Sequence, residues 1–216
     1  MLPPSVTAPD PHPALDDPAR TWLAEATARI ASDPGAIRRL FPAARRRCGH
    51  ARLDAHWSVD EAARAALLTA LPLRGRPLAD EVTGLYRHGD PAEQRAVLRA
   101  LPLLDLEDLA LLLVREALRG NDNSLIEAAL GPYATEHLPD GEFRQAVLKC
   151  VFCEIPLGHV HGLAVRADRE LARMLADFAR ERLAAGRDVP DDIRPVVRAF
   201  PGVIGEELQH AFTEES

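Results

Sequence analysis

The segment "LKCVFCEIPLGHVHGL", residues 148–163, concentrates much of the reactive chemistry of this chain. It holds two of the three cysteines, two of the eight histidines and the only lysine. Cys150, Cys153, His159 and His161 follow one another as C-x2-C-x5-H-x-H. A zinc site needs about four such ligands converging at roughly 2.0–2.3 Å. The spacing permits this but is not that of a zinc finger, where about 12 or more residues separate the Cys pair from the His pair. Val147, Leu148, Val151, Phe152 and Ile155 form an apolar stripe beside the two cysteines. A free cysteine there acts as a small buried hydrophobe. That core reading is the stronger one, so no metal and no cofactor is expected.

Lys149 is the one amine side chain among 26 basic residues, the other 25 being arginine. An amine there suits a desolvated nucleophile or an anion clamp, with a solvent-facing lysine as the plainer alternative. Pro156 breaks the helix, and His161 and Arg166 beyond the break are expected to fold back toward Lys149. A second cluster, "IRRLFPAARRR", brings Arg38, Arg39, Arg45, Arg46 and Arg47 within ten residues. Guanidinium forks pair with phosphate or carboxylate, so this reads as an anion or acidic-partner patch, or as a solvated face. Nucleic acid would need interleaved aromatics for stacking, and only Phe41 is near. In "GNDNSLIEAALGPY", Asp122 or Asn123 caps a helix. Glu127 and Tyr133 are the polar groups there that could serve a site. No nucleophile elbow, phosphate loop, dinucleotide fingerprint or H-E-x-x-H motif occurs.

The elements that carry these residues are helical. The chain has 216 residues, 47% of them apolar, enough for a packed core. Aromatics are only 5%, and no strand alternation is present. The expected fold is all-α, an array of short antiparallel helices, HEAT-like or an irregular bundle. Residues 1–15, with five prolines, read as an extended lead, and 16–216 as one helical domain. A helix is expected over about 17–31, a short or irregular one in "AIRRLFPAARRRCGH", and a capping box at Ser58 and Glu61. Another helix covers about 78–87, and one follows the Asp90-Pro91 start. "GDPAEQRAVLRALPLLD" and "LEDLALLLVREALRG" read as an antiparallel pair. A long amphipathic helix ends at Gly186, and a last pair sits at about 190–215.

The net charge is −7, which argues against general nucleic-acid binding. No apolar run reaches the roughly 18 residues of a membrane span, and "MLPPSVTAPDPHPALDDP" has no secretory pattern. Three cysteines form no even disulfide framework, so the cytoplasm is the expected compartment.

From residue 121 to 187 the chain resembles the EboA family of bacterial metabolite traffic proteins. The resemblance rests on the acid-bearing helix before "PYA", then "LPD", "VLKCVFCEIPL" and "GLAVRADRELARMLADFARERLAAGR". Glu127, Pro132, Tyr133, Lys149, Phe152, Pro156, Gly162 and Arg166 are among the matched positions. Gly131 departs from the family's Asn before Pro-Tyr, and Phe143 stands where the family has Trp. The cysteines are outside the pattern. The resemblance implies a role in secondary-metabolite processing or trafficking. Expected partners are proteins of an Ebo-like gene cluster or a small-molecule metabolite. Two functions follow: a non-catalytic helical binding protein, or an enzyme with its site around Lys149. The binding-site candidates are Glu127, Tyr133, Lys149, His161 and Arg166.

Overall fold

A computed structural model describes residues 9–203. It is 72% helical, so the expected all-α class holds. Within the stretch expected as one domain, the backbone gathers into two compact units, the first ending at Tyr133 and the second beginning at Ala134. Of the expected lead, residues 1–8 lie outside the described residues. His12–Ala14 form a 3-10 turn and Leu15 is buried.

The first unit contains α1 (Asp17–Ser32), α2 (Ile37–Cys48), α3 (Val59–Thr69), α4 (Gly75–His88), α5 (Pro91–Ala100), α6 (Leu111–Arg119) and α7 (Asn123–Ala129). α1 starts at Asp16, whose carboxylate accepts the Ala19 N–H at 2.9 Å. Its buried stripe is Ala19, Leu23, Ala26 and Ile30, one helix face. α2 is longer than expected, because Pro42 does not stop it. Ile37, Phe41 and Ala44 recur at i, i+4 and i+7 and are fully buried, and that burial offsets the hydrogen bond that proline removes. The Arg38 carbonyl loses its i+4 donor in consequence.

α3 is the central helix and packs on α1, α2 and α5. Its capping box is present, with Glu61 Oε2 accepting the Ser58 N–H at 2.9 Å. Asp90 caps α5 as expected, accepting the Glu93 N–H at 2.8 Å. The anticipated α5–α6 pair is replaced by others: α5 packs chiefly on α3, α4 and α7, while α6 packs on α7. The short α7 carries Ile126, Ala128 and Ala129 inward, and this apolar face takes the place beside α5.

Helix α8 (Pro132–His137) spans the junction between the units. The second unit contains α9 (Asp140–Phe152), α10 (Leu163–Arg166), α11 (Arg169–Ala184) and α12 (Arg194–Arg198). α11 packs on α9 and α12. Of the terminal pair expected at 190–215, α12 is seen, and residues 204–216 lie outside the described residues.

α9 and α11 end in the same motif with different residues. In α11 the Arg187 N–H bonds the Arg182 carbonyl at 2.9 Å and the Gly186 N–H bonds Leu183, with Gly186 at φ +65°. In α9 the Ile155 N–H bonds the Cys150 carbonyl at 2.9 Å and the Glu154 N–H bonds Val151 at 3.3 Å. Both are Schellman ends. Glu154, however, sits at φ +57°, where a Cβ is strained. Glu154→Gly is therefore expected to stabilise the protein by about 0.5–1 kcal/mol. A thermal melt followed by circular dichroism would show this as a higher Tm. An unchanged or lower Tm would mean that the Glu154 side chain contributes more than its backbone costs.

Candidate functional site

α3 has almost no polar face. Ala62, Ala63, Ala65, Leu67 and Leu68 are all buried, and so are Asp60, Glu61 and Arg64. Charged groups on such a helix need internal partners. Arg64 is 1% exposed and donates from Nη1 to Asp60 Oδ2 at 2.7 Å. Its Nε donates to the Phe41 carbonyl at 3.2 Å, and its guanidinium lies 5.5 Å from the Phe41 ring centre. Glu61 accepts from Arg95 Nε at 2.5 Å and from Arg99 Nη1 at 2.6 Å. Arg99 also reaches toward Glu127, Nη2 to Oε1 at 3.9 Å. The ion network thus ties α3 to α5 and α7.

Beside this network lies a cleft of about 400 Å³ between α2, α4 and the start of α5. Phe41 and Pro42 of α2 and Leu85 of α4 supply its apolar wall. Arg38 stands at the mouth, mostly exposed, and forks onto Glu81 at 2.9 and 2.7 Å. That hydrogen-bonded fork raises the Arg38 pKa further. His88 Nδ1 lies 2.8 Å from the Gly84 carbonyl. A carbonyl only accepts, so Nδ1 carries the proton of this hydrogen bond.

Glu93 lies deepest among the lining acids, 8% exposed. No donor among the described residues hydrogen-bonds its carboxylate; Arg64 Nη2 faces Oε1 at 3.6 Å. Burial, and then the nearby Asp90 charge, push its pKa up, and Arg64 opposes them only in part. Gly89 permits this arrangement. A Cβ there would stand 2.8 Å from the Leu85 carbonyl and 2.9 Å from Glu93 Cβ.

The residues singled out in the sequence are placed differently. Tyr133 is buried; its hydroxyl donates to the Glu107 carbonyl at 2.6 Å and accepts the Ala110 N–H at 3.0 Å, bracing a turn where Glu107 has φ +46°. In the second unit His161 Nδ1 lies 3.0 Å from Thr135 Oγ1. Arg166 donates to the Ala134 and Thr135 carbonyls at 3.2 Å and to Asp140 at 2.5 Å, its guanidinium 4.3 Å from the Phe143 ring centre. Lys149 is half-buried on α9. α9 ends at Phe152, ahead of Pro156, and its Schellman bonds occupy the Cys150 and Val151 carbonyls. Arg39, Arg45, Arg46 and Arg47 are exposed on α2, and only Arg38 of that cluster joins the cleft.

Cys150 is buried, Cys153 and His161 half-buried, and His159 exposed. Among the described residues no three His, Cys, Asp or Glu side chains gather as metal ligands. In the first unit Cys48 is also a free thiol, pushed up to about 11 by burial and by the Asp60 charge. Such a thiol is a poor nucleophile at neutral pH.

A family model described as Metabolite traffic protein EboA matches residues 39–198. The chain belongs to the EboA family. No curated protein and no solved structure matches it. The EboA match includes Phe41, Glu81, Gly89 and Glu93 of the cleft, with Arg38 one residue ahead of it. It also includes the ion network of this EboA chain, from Asp60 to Glu127.

Of these network and cleft residues only Glu127 and Arg38 stand out as site candidates in the sequence; Glu61 reads there as part of a capping box and Phe41 as a lone aromatic. Asp60 and Glu61 look like first-turn acids favoured by the helix dipole. Glu93 looks like a surface acid after a cap. One signal was available. "VDEAARAALL" surrounds its charges with alanine and leucine on every side, the pattern of a helix buried all round.

Proposed function

We propose that this EboA-family protein is a non-catalytic binding protein that holds a small metabolite in the cleft between α2, α4 and α5 during metabolite traffic. The observation that carries this reading is Glu93. A nearly buried carboxylate without a hydrogen bond is costly, and here it lines a concave cleft with an apolar wall. The lining offers no hydroxyl or thiol nucleophile, which favours binding over covalent chemistry. Three free thiols suit the reducing cytoplasm in which we place it. Among the described residues no helix is long and apolar enough to cross a membrane.

Gly84 provides the test. It lies on the cleft wall, and a Cβ added there meets nothing within 4 Å. Gly84→Leu should fold at least as well, since leucine is about 1 kcal/mol better than glycine inside a helix, and its side chain should fill the cleft. Protein purified from its native host is to be analysed by mass spectrometry for bound small molecules. We expect a molecule on the wild type that is absent from Gly84→Leu. Identical small-molecule profiles would remove the cleft as the binding site.

Glu93→Gln makes a separate prediction about stability. The Glu93 carboxyl faces Arg64 from α3 and feels the Asp90 charge from its own cap, and Asp80, Glu81 and His88 of α4 and Arg38 of α2 line the same cleft. Its folded pKa lies above its unfolded one. The native state then binds more protons between the two values, so this group's contribution falls as pH rises through that window. Glu93→Gln should match or exceed the wild type in urea stability at pH 7. The difference should shrink as pH falls below the normal carboxylate range. Marked destabilisation at pH 7 would show that Glu93 is chiefly an ion-pair partner of Arg64.

A further inference from the structure

We infer that the cleft lined by Glu93 takes a small organic cation, a protonated amine or guanidinium on a short apolar body. This rests on the cleft being the binding site and adds the class of its ligand. The first argument is Glu93 itself: it is 8% exposed, no donor among the described residues hydrogen-bonds its carboxylate, and its guanidinium neighbour, Arg64 Nη2, stands at 3.6 Å. The second argument is the polarity of the lining. The Asp80 and Glu93 carboxylates accept, and Glu81 already holds Nε and Nη2 of Arg38 at the mouth. Such a surface satisfies N–H donors and repels anions. The third argument is shape. Phe41, Pro42 and Leu85 offer an apolar wall beside the acid, so an organic body is favoured over a hydrated ion. A metal ion is disfavoured further, because no three ligating side chains gather there. A cation entering the cleft would bring the donors that Glu93 lacks.

The test uses three probes with the same ring and different charge: benzylamine, benzyl alcohol and benzoate. Binding to the full chain is measured by calorimetry or by chemical shifts of the His88 ring. Benzylamine should bind at least about ten-fold tighter than benzyl alcohol, and benzoate weakest of the three, a ten-fold step being about 1.4 kcal/mol. Glu93→Gln should abolish the preference for the amine. Arg38→Gln frees the Glu81 carboxylate and should strengthen benzylamine binding several-fold. Gly84→Leu should block every probe. Equal or tighter binding of benzoate or benzyl alcohol, blocked by Gly84→Leu, would overturn the cationic class and leave the cleft standing as a site. A preference for benzylamine that survives in Glu93→Gln would overturn it also. If no probe binds and native protein carries no molecule sensitive to Gly84→Leu, the site and its ligand class both fail.

Discussion

Replacing Arg64 by methionine is expected to cost about 3–5 kcal/mol of folding stability, the loss typical when one partner of a buried ion pair is removed. Methionine keeps much of the apolar stem and fills the space beside Phe41. It leaves Asp60, 2% exposed, without its 2.7 Å guanidinium contact, and Glu93 without its only facing cation on α3. It also leaves the Phe41 carbonyl without the Nε donor. Both tryptophans of the chain, Trp22 and Trp57, lie in the first unit. Their fluorescence in urea therefore reports the unit that the substitution perturbs. Adding Asp60→Asn should return part of the loss, because a neutral amide tolerates burial better than an unpaired carboxylate. A loss below about 1 kcal/mol would show that water or a neighbouring cation replaces Arg64, and the ion network would not be a structural brace.

Gly162→Ala is expected to destabilise the second unit by about 2–4 kcal/mol. Gly162 has φ +71°, where a Cβ costs about 1–2 kcal/mol. The same Cβ would stand 2.2 Å from Thr135 Cγ2, and such overpacking adds about 1–3 kcal/mol. Thr135 is not free to turn away. Its hydroxyl donates to the His161 carbonyl at 2.8 Å and lies 3.0 Å from the His161 ring nitrogen. In a Thr135→Ser background the methyl is gone, so most of the packing part should be recovered, while Oγ1 at 2.9 Å and Cβ at 3.1 Å still crowd the new Cβ and the backbone part remains. Gly158→Ala is the control, since its Cβ would enter open space. Melting followed by circular dichroism suits this unit, which has no tryptophan among its residues. Equal Tm values for Gly162→Ala and Gly158→Ala would contradict the close packing against Thr135.

Elements specified by local chemistry were legible in the sequence. α1 and α5 begin where a carboxylate cap precedes a proline, and α7 follows Asp122, whose carboxylate accepts the Ser124 N–H at 2.9 Å. α2 was misjudged because proline is a local signal and the burial of Phe41 is a tertiary one. The partners of α5 were misjudged for a related reason: periodicity marks which face is buried, not which helix covers it. The site was less legible still. Glu61 meets Arg95 and Arg99 across 34 and 38 residues, and no short-range pattern encodes those contacts. The residues that did stand out by type, Tyr133 and Arg166, are held by backbone carbonyls, and their hydrogen bonds order local chain segments. Lys149 stood out through the arginine bias of the chain. Its position on α9 lies in the unit that does not contain the acidic cleft.

The brace around Arg64 and Glu61 also gives the first unit a characteristic response to heat and salt. Withdrawing charges from water costs less as temperature rises, since ionic hydration loses free energy on warming. Apolar burial gains little more over the same range. The helices joined by these ion pairs are thus held relatively better in a warm cell than in a cold one. Dissolved salt screens exposed charges within about 8–10 Å at ordinary ionic strength, yet reaches buried ones far less. The Arg173 pairs on the surface of α11 should weaken in brine while the interior of α3 does not.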